Sequence, residues 1–310
     1  TSNGPNLLIN GCKLKKDSVE VKPKKGYLEY NDQKYDGLFK FIVHKGYAYL
    51  VNIIDLEDYI FSVLKTEGWP GWPAEVNKVF AITCRTYVIW QILESKKNKR
   101  LFDVRNTNLN QVYKGVHGIS KLLEAVDETK GIFMAYNNQP ILAMFDSCCG
   151  GAIPKDIEGV DFKKAPYLAR EYACSYCKGC KIFNWHVQYQ NSYLQNIFKT
   201  RCENLKKIKD IKVIQKDAAG LAKKVVIADV ANQKYNLSGK EIYSLLKEMK
   251  SFIFSISKKN SDIFILNGRG FGHHIGLCQW GACAMVRQGW ACRNILSYYY
   301  PDTQLMVLKN

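Results

Sequence analysis

The segment Gly268-Arg269-Gly270-Phe271-Gly272-His273-His274-Ile275-Gly276-Leu277-Cys278-Gln279-Trp280-Gly281-Ala282 constrains the fold more than any other stretch of this chain. Glycine loses more conformational freedom on ordering than any other residue. Five glycines in an ordered segment therefore imply positive φ angles or close approach of the backbone to a neighbour or ligand. A loop curled around an imidazole and a carboxamide fits that density, and so does a glycine-rich structural turn between a strand and a helix. The helix-like run that follows, 277–288, has Gly289 at the position of a C-terminal cap.

The chain has 310 residues, 47% apolar and 24% charged, enough for a substantial core, which argues against disorder. Its net charge of +17 favours polyanions or anionic surfaces. Nucleic acid is not the expected partner, because zinc-finger spacing, an aromatic RNA-binding motif and a basic heptad region are all missing. Peptidoglycan and anionic headgroups fit the charge as well. No apolar run approaches the ~20 residues of a membrane span, and Leu7-Leu8-Ile9 is too short for a signal core. With Thr1 first, the expectation is an export signal or membrane anchor outside this sequence.

Hydrophobic periodicity predicts an α+β fold. Residues 1–50 alternate apolar and polar positions around turns at Asn31-Asp32 and Lys45-Gly46, as a small β-rich lobe would. Asp55 is a helix N-cap, the stripe Leu56, Tyr59, Ile60, Val63 and Leu64 follows, and Gly68 and Pro70 end that helix. A second helix from Pro73 to about Glu94 is apolar on more than one face, as a buried central helix is. Residues 131–145 read as two strands around Asn137-Asn138. Residues 181–262 read as an inserted Lys-rich auxiliary α/β lobe with one helix, 239–249. This gives a core in two parts, 51–180 and 263–310.

Four segments carry chemistry when taken together. They are 55–87, with Thr66-Glu67-Gly68-Trp69-Pro70, Trp72-Pro73 and Cys84-Arg85-Thr86-Tyr87; then Gln111-Val112-Tyr113; then Ser147-Cys148-Cys149-Gly150-Gly151; and the glycine-rich segment. In this order they resemble the stage II sporulation protein D family, over residues 50–305. The resemblance implies an exported lytic transglycosylase that cleaves the β-1,4 bond between muramic acid and glucosamine in glycan strands stripped of stem peptides, leaving 1,6-anhydro ends. It needs no cofactor. A non-catalytic amidase enhancer or wall-binding protein is the alternative, with peptidoglycan strands and a cell-wall amidase as partners. The chain departs from the family at Phe80, at His274, where glycine is usual, and at Cys278, where serine or another small residue is usual.

Glu67 is the candidate acid. It closes a helix, where carbonyls present negative charge, and Trp69 and Trp72 follow, so its pKa should rise. A neutral carboxyl is what protonation of a glycosidic oxygen requires. Lys78 and Arg85 lie two turns apart on one helix face and need anionic partners, either a substrate carboxylate or Glu67, or structural ion pairs. Gln111 and Tyr113 are expected to line the cleft. Ser147, Gly150 and Gly151 are candidates to bind the sugar, as are His273 and Gln279, the last two also as a proton relay.

The eleven cysteines include Cys174-x-x-Cys177-x-x-Cys180, preceded by Cys148 and Cys149. A zinc or iron–sulfur site, disulfides and buried thiols all fit the spacing, and a metal would need a fourth ligand from elsewhere. The export that the resemblance implies favours disulfides, with structural zinc the lesser expectation. Sporulation-type members of the family hold zinc with one histidine and two cysteines around the loop before Gln111. Arg105 and Asn110 occupy those cysteine positions, so that metal is not expected.

Overall fold

The computed structural model describes residues 8–9, 12–13, 18–69, 71–107 and 109–309. Thr1, Leu7 and Pro70, invoked above, lie outside them. The fold is α+β, in two compact units: residues 1–142 with 305–310, and residues 143–304.

In the first unit, Ser18–Val21, Leu38–His44 and Tyr47–Ile53 form an antiparallel sheet with Leu38–His44 in the middle. Both expected hairpin turns are present, and Asn31, Asp32, Lys45 and Gly46 all take positive φ. Such turns match the twist of the strands they join. α1 (Leu56–Glu67) is capped by Asp55, whose side chain accepts the Glu57 N–H at 2.8 Å. The Gly68 N–H closes it on the Leu64 carbonyl.

α2 (Ala74–Lys97) starts after Pro73 and is buried on nearly every side through Gln91. Thr83 and Thr86 return their hydroxyls to the carbonyls of Val79 and Ile82, so these buried polar groups stay satisfied within the helix. α3 (Ser120–Glu128), which the periodicity does not predict, lays Leu122, Ala125 and Val126 into the same core. Beyond it, Ile132–Tyr136 pairs with Gln139–Pro140 around Asn137-Asn138, and Gln304–Val307 lies on its other side.

In the second unit, Asn184–Gln190, Ile263–Arg269 and Phe254–Lys258 form one antiparallel sheet, and Ile208–Lys216, Ala222–Asp229 and Lys234–Ser238 another. α4 (Asn191–Phe198) and α5 (Gly239–Leu245) cover them, and Leu194, Phe198, Val225, Ile242 and Phe264 share one core. The boundary expected at 262/263 is therefore corrected. Ile263–Arg269 is the middle strand of the lobe's own sheet, and the lobe cannot close without it. The units divide at 142/143 and 304/305 instead of at 50, 180 and 262. α6 (Gln279–Arg287) is shorter than the predicted 277–288, because Leu277–Cys278 pairs in parallel with Phe145–Asp146. Gly289, at φ +86°, takes the expected cap conformation. α7 (Cys292–Tyr299) follows.

Arg85, 0% exposed, ties the first unit together. Its Nε and Nη2 donate to the Glu57 carboxylate at 2.9 and 2.5 Å, and Nη1 donates to the Ile132 carbonyl at 3.1 Å. Removing one partner of a buried pair strands the other charge. Glu57→Ala should therefore cost about 3–5 kcal/mol of stability in a denaturant titration. A loss below about 1 kcal/mol, the range of exposed pairs, would show that this pair does not organise the unit.

Candidate functional site

The first locus lies at the end of α1. Glu67 is partly buried, and its Oε1 accepts the Val112 N–H at 2.6 Å. Thr66 donates its hydroxyl to the Val112 carbonyl, so two adjacent side chains of α1 hold both backbone polar groups of Val112 in the 110–113 loop. Burial raises the Glu67 carboxyl above its ordinary value, opposed in part by the Val112 hydrogen bond. The direction of the shift is the expected one, and burial is its cause. Trp69 and Trp72 stack with centroids 6.0 Å apart and planes inclined by 19°. Trp69 is 48% exposed, leaving an aromatic face open to solvent just beyond the carboxylate.

The other first-unit candidates are held elsewhere. Lys78 forms ion pairs with Glu75 at 3.5 Å and with Glu128. Arg85 is committed to Glu57. Both cations have the anionic partners their positions demand, and neither partner is Glu67. Gln111 does not line a cleft. It is fully buried, accepting the Tyr59 hydroxyl at 3.1 Å and donating to the Cys84 carbonyl at 3.3 Å. Tyr113 is also buried, its hydroxyl on Asn52 Oδ1 at 2.6 Å. These residues shape the loop that presents Val112 to Glu67.

The family's zinc does not fit at Arg105 and Asn110. The Asn110 side chain accepts the Arg105 N–H at 3.0 Å and donates to the Tyr87 hydroxyl at 2.9 Å. Hydrogen bonds close that loop, and neither side chain is a zinc donor.

The second locus belongs to the second unit. The glycine-rich segment is fastened by backbone bonds: Cys148 and Phe271 exchange both N–H···O contacts, at 3.0 and 2.7 Å, and the Gly272 N–H reaches the Lys250 carbonyl at 2.9 Å. The glycines serve close packing of backbone on backbone. At Gly272, φ +131°, a Cβ would sit 2.3 Å from that of Asp146. Gly150, φ +60°, presses on Gly270, where a Cβ would meet backbone at 2.9 Å. Gly151 follows at φ +72°. Ser147 accepts the Trp280 N–H on its carbonyl at 3.1 Å, and Gln279 is buried at the start of α6.

His273 Nδ1 accepts the Ile275 N–H at 3.1 Å. Burial lowers its imidazole to about 4, offset in part by a hydrogen bond to the Phe145 backbone. Those contacts anchor the ring both to its own loop and to the Phe145–Asp146 strand. His274, which stands where the family has glycine, is fully buried at φ +70°. Its N–H donates to Asp146 Oδ2 at 2.7 Å, and its Nδ1 meets the Cys149 carbonyl at 2.9 Å. Burial lowers it too to about 4 and raises Asp146 well above the carboxylate range.

The thiols assemble differently from the expected set. Cys149, Cys174 and Cys177 are joined by Cys278, their Sγ atoms all within 4.8 Å of one another and all buried. Cys148 and Cys180 lie beside them, 3.8 Å apart. The fourth member comes from the glycine-rich segment, and its departure from the family's small residue was the available signal. No two of the described cysteines are bridged as a disulfide.

The family described as Stage II sporulation protein matches residues 44–136, and one described as a domain of unknown function matches residues 168–276. An uncharacterized protein of Brachyspira hyodysenteriae is 30% identical over 97% of this chain and 79% of its own length. Stage II sporulation protein D of Bacillus subtilis is 28% identical, covering 82% of this chain and 75% of the relative. The amidase enhancer of Bacillus subtilis is 25% identical over 79% of this chain and 40% of the relative.

The lowered imidazoles carry a stability consequence. With folded values of about 4 and unfolded values near 6.5, the unfolded chain binds more protons in between. The contribution of these two histidines is complete above about pH 6.5 and falls as the pH drops toward 4, by up to about 1.4 kcal/mol per unit for each. NMR titration should show two imidazole resonances that stay fixed from pH 8 to 5. Midpoints near 6.5 for both would contradict the burial of these rings.

Proposed function

This chain belongs to the stage II sporulation protein D family, and from that premise we propose that it is a peptidoglycan lytic transglycosylase with Glu67 as both acid and base. A cell-wall role follows from the family. The observation that carries the finer reading is the Glu67 carboxyl, raised by burial, pinned at Oε1 by Val112, and followed by the stacked Trp69–Trp72 pair, of which Trp69 is exposed. The N–H at Oε1 favours charge on that oxygen, so the proton belongs on Oε2. From there it passes to the glycosidic oxygen as the bond to the muramoyl C1 breaks. The ionised carboxylate then removes the proton of the muramoyl 6-hydroxyl, whose oxygen bonds to C1 and closes the anhydro ring. No water is consumed, so one carboxyl suffices where ordinary hydrolysis uses two.

The indole faces of Trp69 and Trp72 offer apolar surface on which a sugar ring can stack. The net charge of +17 complements an anionic wall, and strands stripped of stem peptides are the proposed substrate. Action on the wall puts the site of work outside the cytoplasm, and an anchoring segment belongs to the same proposal. Among the described residues no helix is long and apolar enough to cross a membrane.

The likeness to an amidase enhancer favours a second reading, in which the chain binds the wall and stimulates an amidase. Mass spectrometry of peptide-free glycan strands treated with wild-type and Glu67→Gln protein separates the two. Glutamine keeps the Val112 hydrogen bond and loses only the proton chemistry. Anhydro-muramyl products should form with wild type and fall by at least ~100-fold in the variant, the lower end of what acid–base catalysis contributes. No products from either protein, with binding retained, would favour the enhancer reading.

The pH dependence has a sign. The acid must be protonated, so activity should fall as the pH rises through the raised Glu67 value. A carboxyl raised on folding loses stability as the pH rises from its unfolded value of 4.5 through the folded one. Glu67→Gln should therefore be at least as stable as wild type at neutral pH, and a lower melting temperature would contradict the buried-acid assignment.

A further inference from the structure

We propose that Cys149, Cys174, Cys177 and Cys278 hold one zinc ion in a closed tetrathiolate site that fastens the glycine-rich segment to the two cysteine loops. The proposal is independent of the glycan chemistry and of Glu67.

Geometry comes first. Zinc–thiolate bonds of about 2.3 Å at tetrahedral angles put the four sulfurs roughly 3.8 Å from one another. Here Cys149 and Cys177 are 3.7 Å apart, and all four lie within 4.8 Å of one another. A disulfide joins sulfurs at about 2.0 Å and gathers them in pairs. Four thiols from three stretches of chain converging on one point need a shared partner at the centre. An iron–sulfur cluster is too large, since its inorganic core would hold the cysteines much farther apart. With all four positions filled by protein, the ion has no place for water or substrate, so its role is structural.

The surroundings fit a charged centre. Zinc with four thiolates carries a net charge of −2, which a buried site must offset. Cys278 is the N-cap of α6, and its Sγ accepts the N–H groups of Cys149 and Gly281, both at 3.3 Å. A helix N-terminus favours a thiolate. The Tyr299 hydroxyl sits 3.2 Å from Cys174 Sγ, and the guanidinium of Arg170 lies over the Tyr299 ring at 5.7 Å. Arg170 is 1% exposed, and its Nε has no hydrogen-bond partner among the described residues. It is a buried cation held by the Tyr172 and Ala152 carbonyls, with the Tyr299 ring between it and Cys174. Such outer contacts hold metal ligands in orientation.

The test is metal quantification on protein purified without chelator, with cobalt substitution as a second measurement. One zinc per chain is expected, lost in Cys278→Ser and Cys177→Ser and retained in the Cys148→Ser/Cys180→Ser double variant. Cobalt in the wild-type chain should give the charge-transfer and intense visible bands of a tetrahedral tetrathiolate. That readout holds even if the ligand variants fail to fold. Wild-type protein without zinc or a cobalt spectrum would overturn the proposal. So would iron in place of zinc, a disulfide among the four cysteines by mass spectrometry, or zinc that leaves with Cys148 and Cys180.

Discussion

The first unit depends on the satisfaction of one buried guanidinium. Arg85 projects from the middle of α2 into a core that would reject an isolated charge. It is accommodated because Glu57, in the first turn of α1, reaches across with both oxygens and also accepts the Gly131 N–H at 3.0 Å. Through Nη1 the same side chain holds the Ile132 carbonyl where the next strand begins. One ion pair thus fixes the spacing of α1 and α2 and the start of Ile132–Tyr136. The end of α1, where Glu67 sits, inherits its position from that arrangement.

The second unit solves a different problem with glycine. Where Phe145–Asp146 runs beside Leu277–Cys278, backbone must approach backbone more closely than any Cβ permits, as at Gly276, whose added carbon would lie 1.9 Å from the Met144 carbonyl oxygen. Cys148 and Phe271 are then locked by reciprocal hydrogen bonds. The chain spends glycine entropy on contact between its own segments, and the convergence of Cys149 with Cys278 follows from that contact.

Local signals were readable in the sequence to the extent that the chemistry setting them was local. Asp55, Gly68 and Pro73 bound α1 and α2, and the Asn and Lys-Gly turns set three hairpins. α5 was found, and it starts with a capping box from Ser238 and Glu241. α3 and α4 were missed, and neither has a side-chain cap; Ile119 and Gln190 stand at their N-caps. Distant partners were illegible for the same reason. Nothing near Lys78 in the sequence announces Glu128, and nothing near Arg85 announces Glu57. The glycine density correctly signalled close approach, but the approaching groups, Asp146 and Met144, lie more than a hundred residues away. Cys278 was visible only as a departure from the family pattern, and its meaning required the fold.

The ion pairs of Lys78 and Arg85 bear on the chemistry proposed for Glu67. A cation aimed at a carboxylate stabilises the ionised form and lowers its pKa. Had Arg85 been directed at Glu67, the carboxyl would be held as a base and could not supply a proton near neutral pH. Arg85 is instead consumed by Glu57, and Lys78 by Glu75 and Glu128. Burial is the leading influence on Glu67, opposed by the neutral N–H of Val112. A neutral N–H can orient the carboxyl without forcing it to ionise, and an acid that must later act as base needs that balance. The basic residues that looked like substrate ligands serve the proposed reaction by keeping their charges bound to other carboxylates.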